Sequence, residues 1–236
     1  MKLRIKFSKH GAIRYIGHLD VMRFFQKAIR RAEIDVTYSQ GFSPHQIMSF
    51  AQPLSVGHES NGEYMDIQVN SMVSCEDVKK RINAASVEGI QVLSVIELPD
   101  NAVNAMASVA AAEYTVTFKD VRGPALNIYQ VLPEFLSREQ IIYTKESKKG
   151  TREVDLKPGI YQLSCEGDNS AIHMLLDASS GSNIKPVQVM EAILASHGEQ
   201  LQENALMVTR EDTYTNIGTQ EQPHFVPLDA PQLTKE

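Results

Sequence analysis

Between Arg14 and His45 the chain gathers side chains able to do chemistry. Arg14, His18, Asp20 and Arg23 lie within ten residues of one another. A carboxylate held by a guanidinium can act as nucleophile or general base, which makes Asp20 the candidate catalytic group. The bland reading of the same residues is a helix start with a salt bridge. Downstream, Tyr38-Ser39-Gln40-Gly41-Phe42-Ser43-Pro44-His45 runs on to Ser49-Phe50-Ala51-Gln52-Pro53-Leu54-Ser55-Val56-Gly57. Gly41 permits backbone conformations that other residues avoid. Ser39, Ser43 and the N–H groups beside it could cradle a phosphate, and Phe42 and Phe50 could stack on a base. The alternative is an ordered loop whose phenylalanines plug the core. His10, His18, His45 and His58 match no compact ligand spacing, so neither a metal nor a cofactor is expected. Cys75 and Cys165 read as packing residues. The segment from Lys145 to Arg152 is a second basic patch, either a solvated hairpin tip or a second phosphate clamp.

Charge separates the same region from the rest. Residues 1–58 hold nine Lys/Arg and three acids, a net +6 in a chain whose total is −6, so residues 59–236 carry −12. An acidic protein that gathers positive charge at one end presents it to an anion, and a phosphate-rich partner is the first expectation. Arg23, Lys27 and Arg30 recur at helical spacing, with Arg31 adjoining. Met1-Lys2-Leu3-Arg4-Ile5-Lys6 shows no apolar leader, and no apolar run approaches a membrane span. Two distant cysteines make no disulfide framework, so the expected location is the cytoplasm, with no membrane partner.

These residues need elements to position them. Residues 2–7 alternate as a half-buried strand, and Leu19–Ala32 reads as a helix with Met22, Phe25, Ile29 and Ala32 inward. Residues 34–38 and 63–69 read as strands, Cys75–Ala85 as a helix capped by Ser74, and 90–97 as a strand. After an Ala-rich stretch at 102–112, strands at 114–118 and 140–144 flank a helix at 126–136 that holds Pro133. Strand-like runs follow at 154–156, 160–164, 172–176 and 205–209, with a helix opened by Pro186. Strand-helix-strand-strand-helix-strand thus runs twice, which predicts an α+β fold of two ferredoxin-like (βαββαβ) units packed in tandem. The expected domains are 1–98 and 112–212, the second with an extra hairpin, and 215–236 a disordered tail. The Tyr38–Gly57 loop is expected to fold on the N-terminal end of the Leu19–Ala32 helix and bring His18, Asp20, Ser43 and His45 together.

Arg14-Tyr15-Ile16-Gly17-His18-Leu19-Asp20, Arg30-Arg31-Ala32, Tyr38 to His45 and Gly62-Glu63-Tyr64-Met65-Asp66-Ile67 resemble the radical SAM-associated (radical SAM-linked) family, also known as the domain of unknown function DUF2344. Asp155-Leu156-Lys157-Pro158 and Ser182-Asn183-Ile184-Lys185-Pro186 extend the likeness to about residue 210. One departure is Ser43-Pro44-His45-Gln46, where many relatives have Asn-Pro-His-Pro. Because the family occurs alone or fused to radical SAM proteins, the resemblance implies a partner enzyme on a separate chain. Two distant cysteines cannot hold that cluster here, which needs three close together. The leading expectation is a non-catalytic RNA-binding or accessory module in tRNA or rRNA modification, with Arg14, His18, Asp20, Arg23, Lys27, Arg30, Arg31, Ser39, Gly41, Phe42, Ser43 and His45 as its binding residues. One alternative is a stand-alone enzyme resembling a pseudouridine synthase, with Asp20 as nucleophile and Arg14 or Arg23 orienting it. Another is a protein-interaction adaptor that binds no nucleic acid.

Overall fold

Alternation of charged and apolar residues makes Lys2–Lys9 the first strand, β1, of a computed structural model that describes residues 1–119, 123–147 and 150–235. A 3-10 turn at Gly11–Tyr15 leads into α1 (His18–Arg31), followed by β2 (Met48–Phe50), β3 (Glu59–Gln68), α2 (Cys75–Ala84), β4 (Ile90–Leu98) and α3 (Ala105–Ser108). Then come β5 (Ala111–Phe118), α4 (Ile128–Ser137), β6 (Ile142–Ser147), β7 (Gly150–Asp155), β8 (Ile160–Cys165), β9 (Ile172–Asp177), α5 (Pro186–Ala195), β10 (Leu206–Asn216) and β11 (Phe225–Pro227). The fold is mixed α+β, with a large, mostly antiparallel sheet and few helices. The chain divides into two compact units, Met1–Ala110 with Arg210–Glu236, and Ala111–Thr209. Among the described residues, no helix is long and apolar enough to cross a membrane.

In the first unit β1 lies antiparallel between β3 and β4, and β2 runs antiparallel along β3, with Met48 opposite Ile67 and Phe50 opposite Met65. Leu3, Ile5 and Phe7 of β1 and Met65 and Ile67 of β3 face one side. There α1 and α2 bury Val21, Phe25, Ile29, Val78 and Ile82 against them. Ser74 caps α2 by accepting the Asp77 N–H, as its position before the helix predicts. The strand expected at 34–38 is not one. Val36 pairs with Val69 and Tyr38 with Gln46, two isolated bridges to different segments, so no continuous ladder forms. Met48–Phe50 takes the strand's place beside β3.

The opposite face of the same strands is polar and covered. The Arg4 guanidinium grips Asp66 with two bonds, Nε to Oδ1 at 2.8 Å and Nη2 to Oδ2 at 3.0 Å, and also reaches the Leu228 and Val103 carbonyls. Tyr64 donates its hydroxyl toward Asp212 at 2.7 Å and Asp229 at 2.9 Å, and Lys6 sits 2.6 Å from Asp212. Burial and these two carboxylates push the Tyr64 phenol far above its ordinary value. In the expected disordered tail of 215–236, the described residues, 215–235, are instead placed on the sheet: β11 pairs with the end of β10, Val226, Leu228 and Ala230 are buried, and Asp229 also accepts from Ser94. Single apolar residues spaced by two do this work inside a polar, proline-containing run, where composition hides them.

In the second unit β9 lies antiparallel between β5 and β8, and β6 and β7 form a hairpin of their own. Pro133 stands inside α4 without ending it. The buried stripe of Ile128, Leu132 and Phe135 outweighs the lost backbone bond. Of the basic patch from Lys145 to Arg152, Lys148 and Lys149 lie outside the described residues.

Candidate functional site

Helix α1 presents its charges as its sequence predicts. Val21, Phe25, Ala28 and Ile29 are buried, while Arg23, Lys27, Arg30 and Arg31 are exposed on the outer side. Arg23 pairs with Asp20 at 3.3 Å across one turn, both side chains being more than half exposed. Such a pair contributes little to stability. Among the described residues, no ion pair engages Lys27, Arg30 or Arg31. Asp20 therefore sits in solvent at the helix start, where it suits the dipole.

Arg14 is held from two sides: Nη1 donates to Glu59 at 3.0 Å and Nη2 to the Tyr15 hydroxyl at 3.0 Å, with the guanidinium 4.9 Å from the Tyr15 ring centre. Burial alone would raise the Glu59 carboxyl. The Gly11 N–H, His10 and Arg14 together hold it below its ordinary value instead. This ties the 3-10 turn before α1 to β3 and leaves Tyr15 and Leu19 exposed at the surface.

The Ser39–His45 segment is a closed loop. Ser39 N–H donates to the His45 carbonyl at 2.8 Å, the His45 N–H donates to Ser39 Oγ at 3.1 Å, and the same hydroxyl lies 2.9 Å from His45 Nδ1. The Ser43 carbonyl is 3.4 Å from that nitrogen. Gly41 turns the tip at φ +113°, a region closed to most L-residues. Gln46, buried, roots the loop by donating to the Gln26 carbonyl of α1 at 3.1 Å. The loop is thus anchored in mid-helix. Ser39, Ser43 and His45 bond among themselves, Asp20 bonds Arg23, and His18 packs elsewhere. Among the described residues, no hydrogen bond links Asp20 to Ser43 or His45. The two phenylalanines also part company. Phe42 is wholly exposed at the loop tip, whereas Phe50 is 8% exposed and packs edge-on against Phe7 and His18, so no base can reach it.

Beneath α1 lies a cluster that residue type alone does not disclose. Lys9, only 3% exposed, donates its ammonium to the Ile16 carbonyl at 3.0 Å and the Arg14 carbonyl at 3.4 Å. It lines a cavity of about 10 Å³ with His18, Gln52, Phe50 and Glu63, room for about one water. Glu63 is buried and pairs with Arg210 at 2.8 Å, and Arg210 also donates to Gln52. Burial pushes the Lys9 amine below its ordinary value, and the Glu63 carboxylate partly offsets this. Three motif segments of the sequence, around His18, Phe50–Leu54 and Glu63, thus converge on Lys9. The signal that could have found them is phase: Lys9 follows Leu3, Ile5 and Phe7, and Glu63 precedes Met65 and Ile67, charged residues on the apolar side of two strands. Among the described residues, no group of three His, Cys, Asp or Glu side chains is placed to hold a metal.

No curated protein matches the chain. A solved structure of the first two RRM domains of yeast poly(U)-binding protein (Pub1) aligns over 89% of this chain and 98% of its own, at 8% identity and a TM-score of 0.21, a likeness too slight to carry an argument. The profile of the DUF2344 family, described as uncharacterised proteins conserved in bacteria, matches residues 2–186. With more than three quarters of its length matched, and with its motif residues set around α1 and the buried Lys9 cluster, the chain belongs to the DUF2344 family.

Proposed function

We propose that this protein is a non-catalytic RNA-binding module that serves a radical SAM enzyme carried on a separate chain, in tRNA or rRNA modification. The observation that carries the RNA reading is the outer side of α1. Lys27 and Arg30 stand exposed and without ion-pair partners among the described residues, in the segment that concentrates the chain's positive charge. The polar face of the first unit's sheet is not available for a base-stacking surface, because Arg4, Tyr64 and Asp66 are buried under residues 226–230. This supports the helix side as the RNA surface. The enzyme partner rests on the family resemblance, and a cytoplasmic setting on two free cysteines. The strand order β4-β1-β3-β2 in the first unit, and β5-β9-β8 with the β6–β7 hairpin in the second, supports two ferredoxin-like units in tandem.

A filter-binding series over salt tests the RNA reading. Three phosphate contacts, from Arg23, Lys27 and Arg30, give a log–log slope near −2 on single strands, about a 20-fold loss between 50 and 200 mM salt. Arg23→Glu combined with Arg30→Glu is expected to weaken binding across all sequences and to flatten that slope to about −0.7. Unchanged affinity in the double variant, or no binding by the wild type at low salt, overturns the reading.

A further inference from the structure

We infer that the Ser39–His45 loop takes an unpaired base of single-stranded RNA, stacking it on Phe42 while Arg23, Lys27 and Arg30 hold the flanking phosphates. This rests on the RNA reading above and assigns its substrate class. Phe42 is the most exposed large apolar side chain of the protein's described residues. A phenylalanine left in water forgoes the favourable transfer that burial would bring. On a loose loop that would mean little. Here the loop is framed by three Ser39–His45 contacts and the Tyr38–Gln46 bridge, and its tip is set by Gly41 in a left-handed conformation. An aromatic ring held outward by an ordered frame is pre-organised for a flat partner.

The surroundings of the frame identify that partner. Gln46 fastens the loop to the Gln26 carbonyl. Gln26 stands three residues after Arg23 and four before Arg30, so the root of the loop lies beside both cations on the helix surface. Arg23 and Arg30 are two turns, about 10 Å, apart along the axis. A further exposed ring, Tyr38, stands at the foot of the loop. Rings interleaved with cations suit bases joined by phosphates, whereas a protein pocket for Phe42 would call for no row of exposed cations beside it. In a duplex the bases are stacked on each other and the ring has no face to meet, so the loop selects unpaired strands.

Fluorescence anisotropy with a labelled single-stranded RNA of roughly ten nucleotides, and with the same strand annealed to its complement, tests this. The single strand is expected to bind the wild-type chain more tightly. Phe42→Ala is expected to weaken it about 5- to 150-fold and to leave the duplex unaffected, and Phe42→Trp to restore it. Since Phe42 buries nothing, circular dichroism is expected to be unchanged in both variants. Equal affinity for the two RNAs, with no effect of Phe42→Ala, overturns the stacking inference and leaves the RNA reading standing; Phe42 would then serve a protein partner. Phe42→Ala weakening both RNAs alike also overturns it. If the wild type binds neither RNA at low salt, both fall together.

Discussion

Glu63→Gln and Lys9→Met change the same buried cluster by one charge each, in opposite directions, and the consequences are unequal. In the wild type, Lys9 and Arg210 place two cations around the single carboxylate of Glu63. Glu63→Gln keeps the shape of the side chain but leaves both cations buried without their anion. Breaking a buried pair in this way costs about 3–5 kcal/mol. Lys9→Met removes a cation that burial already disfavours and keeps most of its volume. The Ile16 and Arg14 carbonyls lose their donor, so the change is expected to stay within about 1 kcal/mol of the wild type. Hydrogen exchange of the β1 and β3 amides reports the first unit alone. Glu63→Gln is expected to speed it between about one hundredfold and a few thousandfold, and Lys9→Met by less than about tenfold. The pH dependence supplies a second readout. The folded-state value of Lys9 lies below 10.5, so between that lowered value and 10.5 the unfolded chain holds a proton that the folded chain lacks. Stability conferred at this site therefore rises with pH across that window. The wild type is expected to gain on Lys9→Met as the pH rises through that window toward 10.5. If Lys9→Met costs as much as Glu63→Gln and shows no such gain, Lys9 is a favourable partner of Glu63, and the charge reasoning is wrong.

Removal of residues 225–235 exposes the Val226 and Leu228 sites and strips Asp229 from Tyr64 and Ser94. Burial of the two apolar side chains alone is worth about 3–6 kcal/mol, so the urea midpoint of the first unit is expected to fall and the β1 amides to exchange faster. An unchanged midpoint would show that the segment merely rests on the sheet. Gly62→Ala places a methyl group 2.5 Å from the Asp212 Cα and 2.8 Å from the Glu211 carbonyl, backbone that cannot yield cheaply. It is expected to cost about 1–3 kcal/mol by prising β3 from β10, read as a lower thermal midpoint.

Local pattern made most elements legible. The alternation of Lys2–Phe7 marks β1, the stripe of Phe25 and Ile29 marks α1, and Ser74 marks the start of α2. The outward face of the basic helix followed from the same spacing. What failed was whatever depends on partners distant in sequence. Residues 34–38 have the composition of a strand, yet Val36 and Tyr38 meet different segments. Phe42 and Phe50 are one residue type in one loop, and only the position of Phe7 and His18 decides that Phe50 is buried. The Asp20–Arg23 pair at the helix start is the salt bridge that their spacing offers. A regional sum of charge does not distinguish Lys9 and Glu63, which only their phase along β1 and β3 sets on the apolar side. The segment at 225–230 was hidden because its binding site lies some 130–225 residues earlier in the chain.

That separation has a consequence for how the protein is made. Arg4 closes on the Leu228 carbonyl and Tyr64 on Asp229, across 224 and 165 residues. During synthesis the strands of the first unit emerge early, but their polar face waits for residues that arrive only after the whole of Ala111–Thr209. At about 5–20 residues per second, the buried charges of Arg4 and Asp66 stand open for several seconds or longer. The second unit is contiguous and can fold meanwhile, so the unit translated first is the one completed last. A nascent chain stalled before residue 225 would expose that face to chaperones and proteases, and contacts of such high sequence separation make the final closure slow.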